Sequence, residues 1–324
     1  MNPFAFARAD TVGAAIAAGR QSGARFIAGG TNILDLMKDD VEHPAVLIDI
    51  NALPLRTIES RGNEIFIGAL ARMSDIAAHP LVRSAFPVIA IALEESASPQ
   101  LRNMASIGGN ILQRTRCPYF RDSATPCNKR NPGSGCGAIG GVNRMQAVLG
   151  TSEQCIATHA SDVAVAFTAL DAIVHVAHGS GTREVPLTEF YREPGTTPRI
   201  ENVLAPGELI IGIAIPALAY GAHSTYVKAR DRAQYEFALA SAAVALDVQG
   251  GTIRAARIAL GGVGTVPWRA RDAERVLAGA PATRATYERA AETALSGARG
   301  HGQNDFKIPL AKRVVVRALE TVSA

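Results

Sequence analysis

A chain of 324 residues can bury two or three separate cores, and its 48% hydrophobic and 19% charged residues are the proportions of an ordinary soluble globular protein. Its formal net charge of +4 is small and dispersed. No block of five or six basic residues and no aromatic-studded basic stretch appears, which argues against nucleic acid as a partner. No apolar run reaches the ~18–20 residues of a membrane span. The opening MNPFAFARADTVGAAIAAGRQSGARF lacks the basic leader and apolar core of a secretory signal.

In chain order, Thr11 to Ser22 reads as a helix, with Thr11 as its cap and Gly23 as its stop. ARFIAGGTNILDLMK reads as a short strand, Arg25 to Ala28, a Gly-Gly turn and an apolar helical stretch. AVLIDI (Ala45 to Ile50) and EIFIGAL (Glu64 to Leu70) read as buried strands, and Ser74 to Ala78 and Ala85 to Ser96 as helices. SIGGNIL is a second Gly-Gly turn, after which Arg116 to Cys155 is irregular and rich in Pro, Gly, Asn and Arg. HASDVAVAFTALDAIVHVA resumes regular packing, Val203 to Ile215 is strand-like, and Ala217 to Ala222 is the best linker. Beyond it, strand, helix and strand are expected through STYVKARDRAQYEFALASAAVALDV and GTIRAARIALGGV. Helices follow at Arg269 to Gly279, Ala282 to Ser296 and Leu310 to Val322. No repeat at a solenoid period is present.

All four cysteines lie in the irregular segment, spaced C-x9-C-x8-C-x18-C. Their polar surroundings make a packing role poor, and a chain of this length does not need disulfide staples. A four-thiolate zinc site and an iron–sulfur cubane both suit the residue types. The gaps are longer than the C-x2–4-C pairing of structural zinc, and long gaps let each cysteine reach a different iron. Spacing alone admits either.

The turns IAGGTNI and SIGGNI each set glycines at a strand or loop entering a helix. There backbone N–H groups can cradle an anion, with Thr31, Asn32, Ser106 and Asn110 as added donors. Neither is G-x-G-x-x-G, nor is GGVG at Gly261 to Gly264, so a Rossmann reading fails. A pair of tight turns without ligand is the plain alternative; two similar turns suit a diphosphate better. No Ser–His–Asp set or H-E-x-x-H motif is seen.

FIAGGTNILDLMK, LRNMASIGGNI, SDVAVAFTALDA, PGELIIGIAIP and YVKARDRAQYEFALASAAVAL, in that order, resemble the FAD-binding subunits of the xanthine dehydrogenase (molybdenum hydroxylase) family over nearly the whole chain. RTRCPYF and PCNKRNPGSGC narrow the resemblance to the flavin and 4Fe–4S subunits of periplasmic aldehyde oxidoreductases. The four-cysteine flavin subunits of 4-hydroxybenzoyl-CoA reductases are the second match.

The resemblance implies an α+β fold: a two-lobed FAD-binding domain of the vanillyl-alcohol-oxidase/PCMH type over 1–216. Its lobes are about 1–57 and 58–216, with a 4Fe–4S insertion at 116–155 and a smaller α+β C-terminal domain at 222–324. Phe26, Ile27, Ala28, Gly29, Gly30, Thr31, Asn32, Ile33 and Leu34 would cradle the FAD diphosphate. Ser106, Gly109 and Asn110 would hold its other side. Asp162 would meet the ribose region, Ile210 would pack on the flavin or adenine, and Lys228 would stand near the isoalloxazine. Cys117, Cys127, Cys136 and Cys155 would ligate the cluster, with Arg116, Lys129 and Arg130 offsetting its charge. His159 could touch flavin or cluster. Each has a plain alternative: Asp162 as a helix cap, Lys228 as a solvated strand residue, Ile210 as core, and the basic residues and His159 as loop surface.

The function implied is electron transfer in a heterotrimeric aldehyde oxidoreductase. A large subunit would hold a molybdenum cofactor, a small subunit two 2Fe–2S clusters, and an external acceptor would take the electrons. Location in the periplasm would follow from co-export with a signal-bearing partner; the cytoplasm is the alternative. The other readings are an aromatic CoA-thioester reductase, a zinc-stabilised scaffold without flavin, and a stand-alone flavoprotein dehydrogenase, which lacks an evident acid–base pair.

Overall fold

The computed structural model describes residues 1–179 and 181–323. The first lobe alternates strand and helix: β1 (Ala5–Arg8), α1 (Val12–Gly19), β2 (Ala24–Ile27), α2 (Ile33–Lys38) and β3 (Val46–Asp49). Its strands form a parallel sheet in the order β1-β3-β2. The Thr11 hydroxyl accepts from Ala14 N at 3.1 Å and starts α1, as its position before the alanine run predicts.

The second lobe contains β4 (Ile58–Arg61), β5 (Glu64–Gly68), α3 (Met73–Ala78), α4 (Pro80–Ala85), α5 (Pro87–Glu94), α6 (Pro99–Arg102), α7 (Ile107–Ile111), α8 (Pro118–Arg121), α9 (Asp162–Ala169), β6 (Ile173–His178), β7 (Gly181–Pro186), α10 (Leu187–Phe190) and β8 (Leu209–Pro216). An antiparallel sheet runs β4-β5-β8-β6-β7. The helix expected from Ala85 begins instead at Pro87. That proline occupies the first helical position, where its missing N–H costs nothing.

The remainder comprises β9 (Ser224–Ala229), β10 (Ala240–Gln249), β11 (Thr252–Gly261), β12 (Trp268–Arg269), α11 (Arg271–Leu277), α12 (Arg284–Ala294) and α13 (Lys307–Ser323). Its antiparallel sheet runs β12-β11-β10-β9. The helix expected between the two strands is absent, and the alanine-rich run is strand β10. Its side chains alternate: Ala243 joins the second lobe's core, whereas Ala242, Val244 and Leu246 join the core under the C-terminal helices. A strand covered on both faces reads as an unbroken apolar run, and tertiary packing overrides alanine's helix propensity. Among the described residues no helix is long and apolar enough to cross a membrane.

The cysteine segment is stapled to the body by a small core of its own, built from Leu36, Phe120, Ala138, Ile156 and the cysteines. Cys117, Cys127 and Cys155 are buried despite the polar sequence around them.

Candidate functional site

A cleft of about 1230 Å³ runs between the two lobes, with part of one wall supplied by Arg232 to Phe237 beyond β9. It is large enough for an extended dinucleotide. The β2–α2 turn forms its floor. A Cβ on Gly29 would lie 2.0 Å from Met104 O, so only glycine lets this turn press against the loop before α7. Gly30 has φ +73°, a left-handed conformation open to glycine. Among the described residues the N–H groups of Gly29 to Ile33 meet no acceptor. They form a donor cradle of the kind that holds phosphate oxygens.

The second Gly-Gly turn differs from the first, because its amides are already used. Ile107 N donates to Ala71 O and Gly108 N to Ala69 O, both at 2.9 Å. Gly109 N donates to Ser106 Oγ at 3.3 Å and Asn110 N to Ser106 O at 2.9 Å. Gly108 is there for packing, since a Cβ would come within 3.1 Å of Ala69. Asn110 Oδ1 accepts from Ser161 Oγ at 2.6 Å, and Ser161 Oγ accepts from Ala164 N at 3.1 Å. The turn thereby fixes the start of α9 and the residue after Ser161, Asp162.

Asp162 is buried, with both oxygens engaged. Oδ1 accepts from Tyr226 Oη at 2.6 Å; Oδ2 accepts from Ser96 Oγ at 3.0 Å and Lys228 Nζ at 2.8 Å. Ser96 and Asp162 belong to the second lobe, Tyr226 and Lys228 to β9, so this cluster joins the two parts of the chain at the cleft wall. Phe26, Ala28, Gly29, Gly30, Thr31, Asn32, Ile33, Ser106, Gly109, Asn110 and Asp162 line the cleft. Ile27, Leu34 and Lys228 stand behind that lining, and Ile210 is buried in the second lobe's core.

Sequence reading assigned Arg116 to the cysteines, but the structure places it in the cleft. Its Nη1 lies 3.5 Å from Asn32 Oδ1 and its guanidinium 5.3 Å from the Phe237 ring centre. Neighbouring Arg114 is neutralised by Glu42 and Glu201, and Arg121 by Asp35 and Asp39. Among the described residues no carboxylate pairs with Arg116. Burial, then the charge of Arg121, lowers its pKa to about 10, which leaves it a cation at neutral pH. No local pattern could have revealed this, because 84 residues separate Arg116 from Asn32.

Cys117, Cys127, Cys136 and Cys155 line one small cavity. Cys127 and Cys136 face each other across an isolated antiparallel bridge, and all four thiols are free. Burial pushes the Cys117 and Cys155 thiols up to about 11, so without a metal they would be protonated. Among the described residues no three His, Cys, Asp or Glu side chains converge closely enough to hold one metal ion. Four free thiols around one small cavity are a donor set that suits a thiolate-held metal centre, whether zinc or iron–sulfur. Arg130 does not face the sulfurs: it donates to the carbonyls of Tyr119, Phe120 and Thr125 and closes the loop. Lys129 pairs with Glu201 at 2.7 Å while its charge lowers the Cys155 pKa against burial.

A second cavity of about 230 Å³ shares Arg116, Asp162 and Phe237 with the cleft and Cys117 with the cysteine centre. His159 stands in its wall. Its Nδ1 accepts from Ser161 N at 3.3 Å, which leaves the ring proton on Nε2, shielded from solvent and unpartnered. Burial lowers its pKa to about 4.

Residues 2–218 match the FAD binding domain in molybdopterin dehydrogenase, and residues 224–322 match the CO dehydrogenase flavoprotein C-terminal domain. The chain is 47% identical to aldehyde oxidoreductase FAD-binding subunit PaoB of Escherichia coli (strain K12), over 100% of this chain and 99% of that one. It is 30% identical to the glyceraldehyde dehydrogenase medium chain of Sulfolobus acidocaldarius, over 79% of this chain and 73% of that one. Among solved structures, a carbon monoxide dehydrogenase from Hydrogenophaga pseudoflava superposes with a TM-score of 0.77 at 28% identity, covering 100% of this chain and 99% of that one. With a donor cradle and a dinucleotide-sized cleft on the same turn that carries the resemblance, this chain belongs to the FAD-binding medium subunits of the molybdenum hydroxylase family.

Proposed function

We propose that this chain is the FAD and 4Fe–4S subunit of a molybdenum-containing aldehyde oxidoreductase that converts an aldehyde and water to a carboxylic acid. The observation that carries the reading is its 47% identity along its whole length to an aldehyde oxidoreductase FAD-binding subunit. The four free cysteines around one cavity support the cluster. A large subunit with the molybdenum cofactor and a small subunit with two 2Fe–2S clusters complete the complex, and an external acceptor receives the electrons. When bound, FAD accepts electrons singly and releases one or two.

This chain's own residues do the holding. The N–H groups of Gly29 to Ile33 and the Arg116 cation meet the diphosphate. Asp162 retains about one free lone-pair site for a ribose hydroxyl, since a carboxylate offers roughly four and three are taken. Lys228 holds that carboxylate in place. Cys117, Cys127, Cys136 and Cys155 each ligate one iron. The compartment that suits this reading is the periplasm, reached with a signal-bearing partner, and cell fractionation tests it.

Anaerobic iron, sulfide, zinc and flavin analysis of the purified complex tests the cofactor assignment. About eight irons per complex, four of them from this chain, with one FAD are expected. Zinc in place of the extra iron would make the cysteine segment a structural zinc site. Bleaching of the flavin band by aldehydes is expected; reoxidation of the chemically reduced complex by aromatic CoA thioesters, without bleaching by aldehydes, would favour the reductase instead.

A further inference from the structure

Gln146 is 2% exposed, and its Nε2 lies 3.4 Å from Cys117 Sγ, a side-chain amide aimed at one of the four sulfurs. Its backbone is pinned from several directions. Gln146 N donates to Asn143 O at 2.8 Å. Its carbonyl accepts from Lys307 Nζ at 3.1 Å and Asn304 Nδ2 at 3.3 Å. The same two side chains hold the carbonyls on either side: Lys307 Nζ meets Met145 O at 2.9 Å, and Asn304 Nδ2 meets Ala147 O at 2.9 Å. Lys307 and Asn304 are both 0% exposed, and the third Lys307 donor reaches Gly262 O at 2.7 Å. Asn143 is anchored in turn to His301 O and Gln303 N, at 2.7 and 3.0 Å.

A buried lysine is costly, and a buried ammonium persists only where its donors are matched. Here Lys307, the first residue of α13, and Asn304, in the turn before it, both serve a stretch of the cysteine segment only three residues long. That stretch forms no helix or strand of its own; what it presents to the interior is the Gln146 amide.

We propose that Gln146 is a positioning residue that donates a hydrogen bond to the Cys117 thiolate and raises the reduction potential of the iron–sulfur centre, with Asn304 and Lys307 holding it in register. The inference rests on the four cysteines being cluster ligands. Reduction adds negative charge that spreads onto the sulfurs, so a donor at a sulfur favours the reduced state. Ala157 N does the same at Cys155, at 3.4 Å, but as a backbone group. Gln146 is therefore the contact that substitution can adjust.

The test uses the intact complex with Gln146→Met, which keeps the length without a donor, and Gln146→Glu, which keeps the size and adds negative charge. Iron content is measured, and the midpoint potential of the fast-relaxing low-temperature EPR signal is titrated apart from the 2Fe–2S signals. A variant that emerges short of iron is reconstituted anaerobically with iron and sulfide before titration. The expected result is a more negative midpoint in Gln146→Met, and one more negative still in Gln146→Glu. Lys307→Met, which loosens the clamp, is expected to shift it in the same direction by less. Unshifted midpoints in both Gln146 variants would overturn the inference and leave the cluster reading intact. A wild-type complex with zinc and no such EPR signal would remove the cluster reading, and this inference with it.

Discussion

Replacing Lys228 by Met tests whether the cluster around Asp162 joins the two parts of the chain. Lys228 and Asp162 side chains are 1% and 7% exposed, and their charges meet at 2.8 Å. Removing one partner of a buried pair costs about 3–5 kcal/mol, because the other charge is left uncompensated. Two features place this case at the lower end. Asp162 keeps the Tyr226 and Ser96 hydroxyls, and Glu95 O, which loses the Lys228 donor, keeps Arg230 Nη1 at 3.2 Å. A loss of about 3 kcal/mol corresponds to roughly 6–12 °C in Tm for a unit of about 200 residues. Differential scanning fluorimetry of the complex, followed with both protein and flavin signals, reads it. The double variant Asp162→Asn/Lys228→Met removes both charges and is expected to lose less than the two single variants summed. A Lys228→Met Tm within about 2 °C of wild type would show that the pair does not bind the domains together.

Gly29→Ala is expected to cost about 3 kcal/mol and to lower flavin content, because its Cβ would meet Met104 O at 2.0 Å and neither backbone can yield; a flavin-replete variant of normal Tm counts against the cradle. Arg116→Gln removes the unpaired cleft cation and is expected to weaken FAD binding by about 2 kcal/mol, or roughly thirtyfold, in fluorescence titration of the deflavinated complex, with reduced salt dependence. Equal affinity would place the diphosphate elsewhere. Cys127→Ser is expected to lower iron content and destabilise the subunit, and full iron with normal activity would show the ligand assignment to be wrong. His159, held near pH 4 by burial, stays neutral in the folded chain while the unfolded chain takes up a proton below about pH 6.5. Its contribution therefore lowers stability as pH falls from about 6.5 to 4, and His159→Gln should flatten that slope in thermal melts; an unchanged slope assigns acid sensitivity to other groups.

Several features were legible in the sequence because they depend on neighbours along the chain. The strand, Gly-Gly and helix order of Arg25 to Lys38, the Thr11 cap and the irregular cysteine segment follow from local backbone preference and short-range periodicity. Five ordered segments sufficed for the family. Other features needed distant parts of the chain to meet. Ala240 to Gln249 carries helix-forming residues and becomes a strand because helices cover both faces of its sheet. SIGGNI has the look of a second anion cradle, but Ala69, Ala71 and Ser106 take its amides, and only the packed turn reveals that. Arg116 adjoins Cys117 in sequence yet points into the FAD cleft, and Gln146 gains its sulfur contact only because Asn304 and Lys307 arrive from over 150 residues away. Sequence by itself determined which groups could serve a flavin and a metal centre. Tertiary structure decided which N–H, carbonyl and charge remained free to do so, because a hydrogen-bonding group already satisfied by a distant partner looks the same in sequence as one that is open.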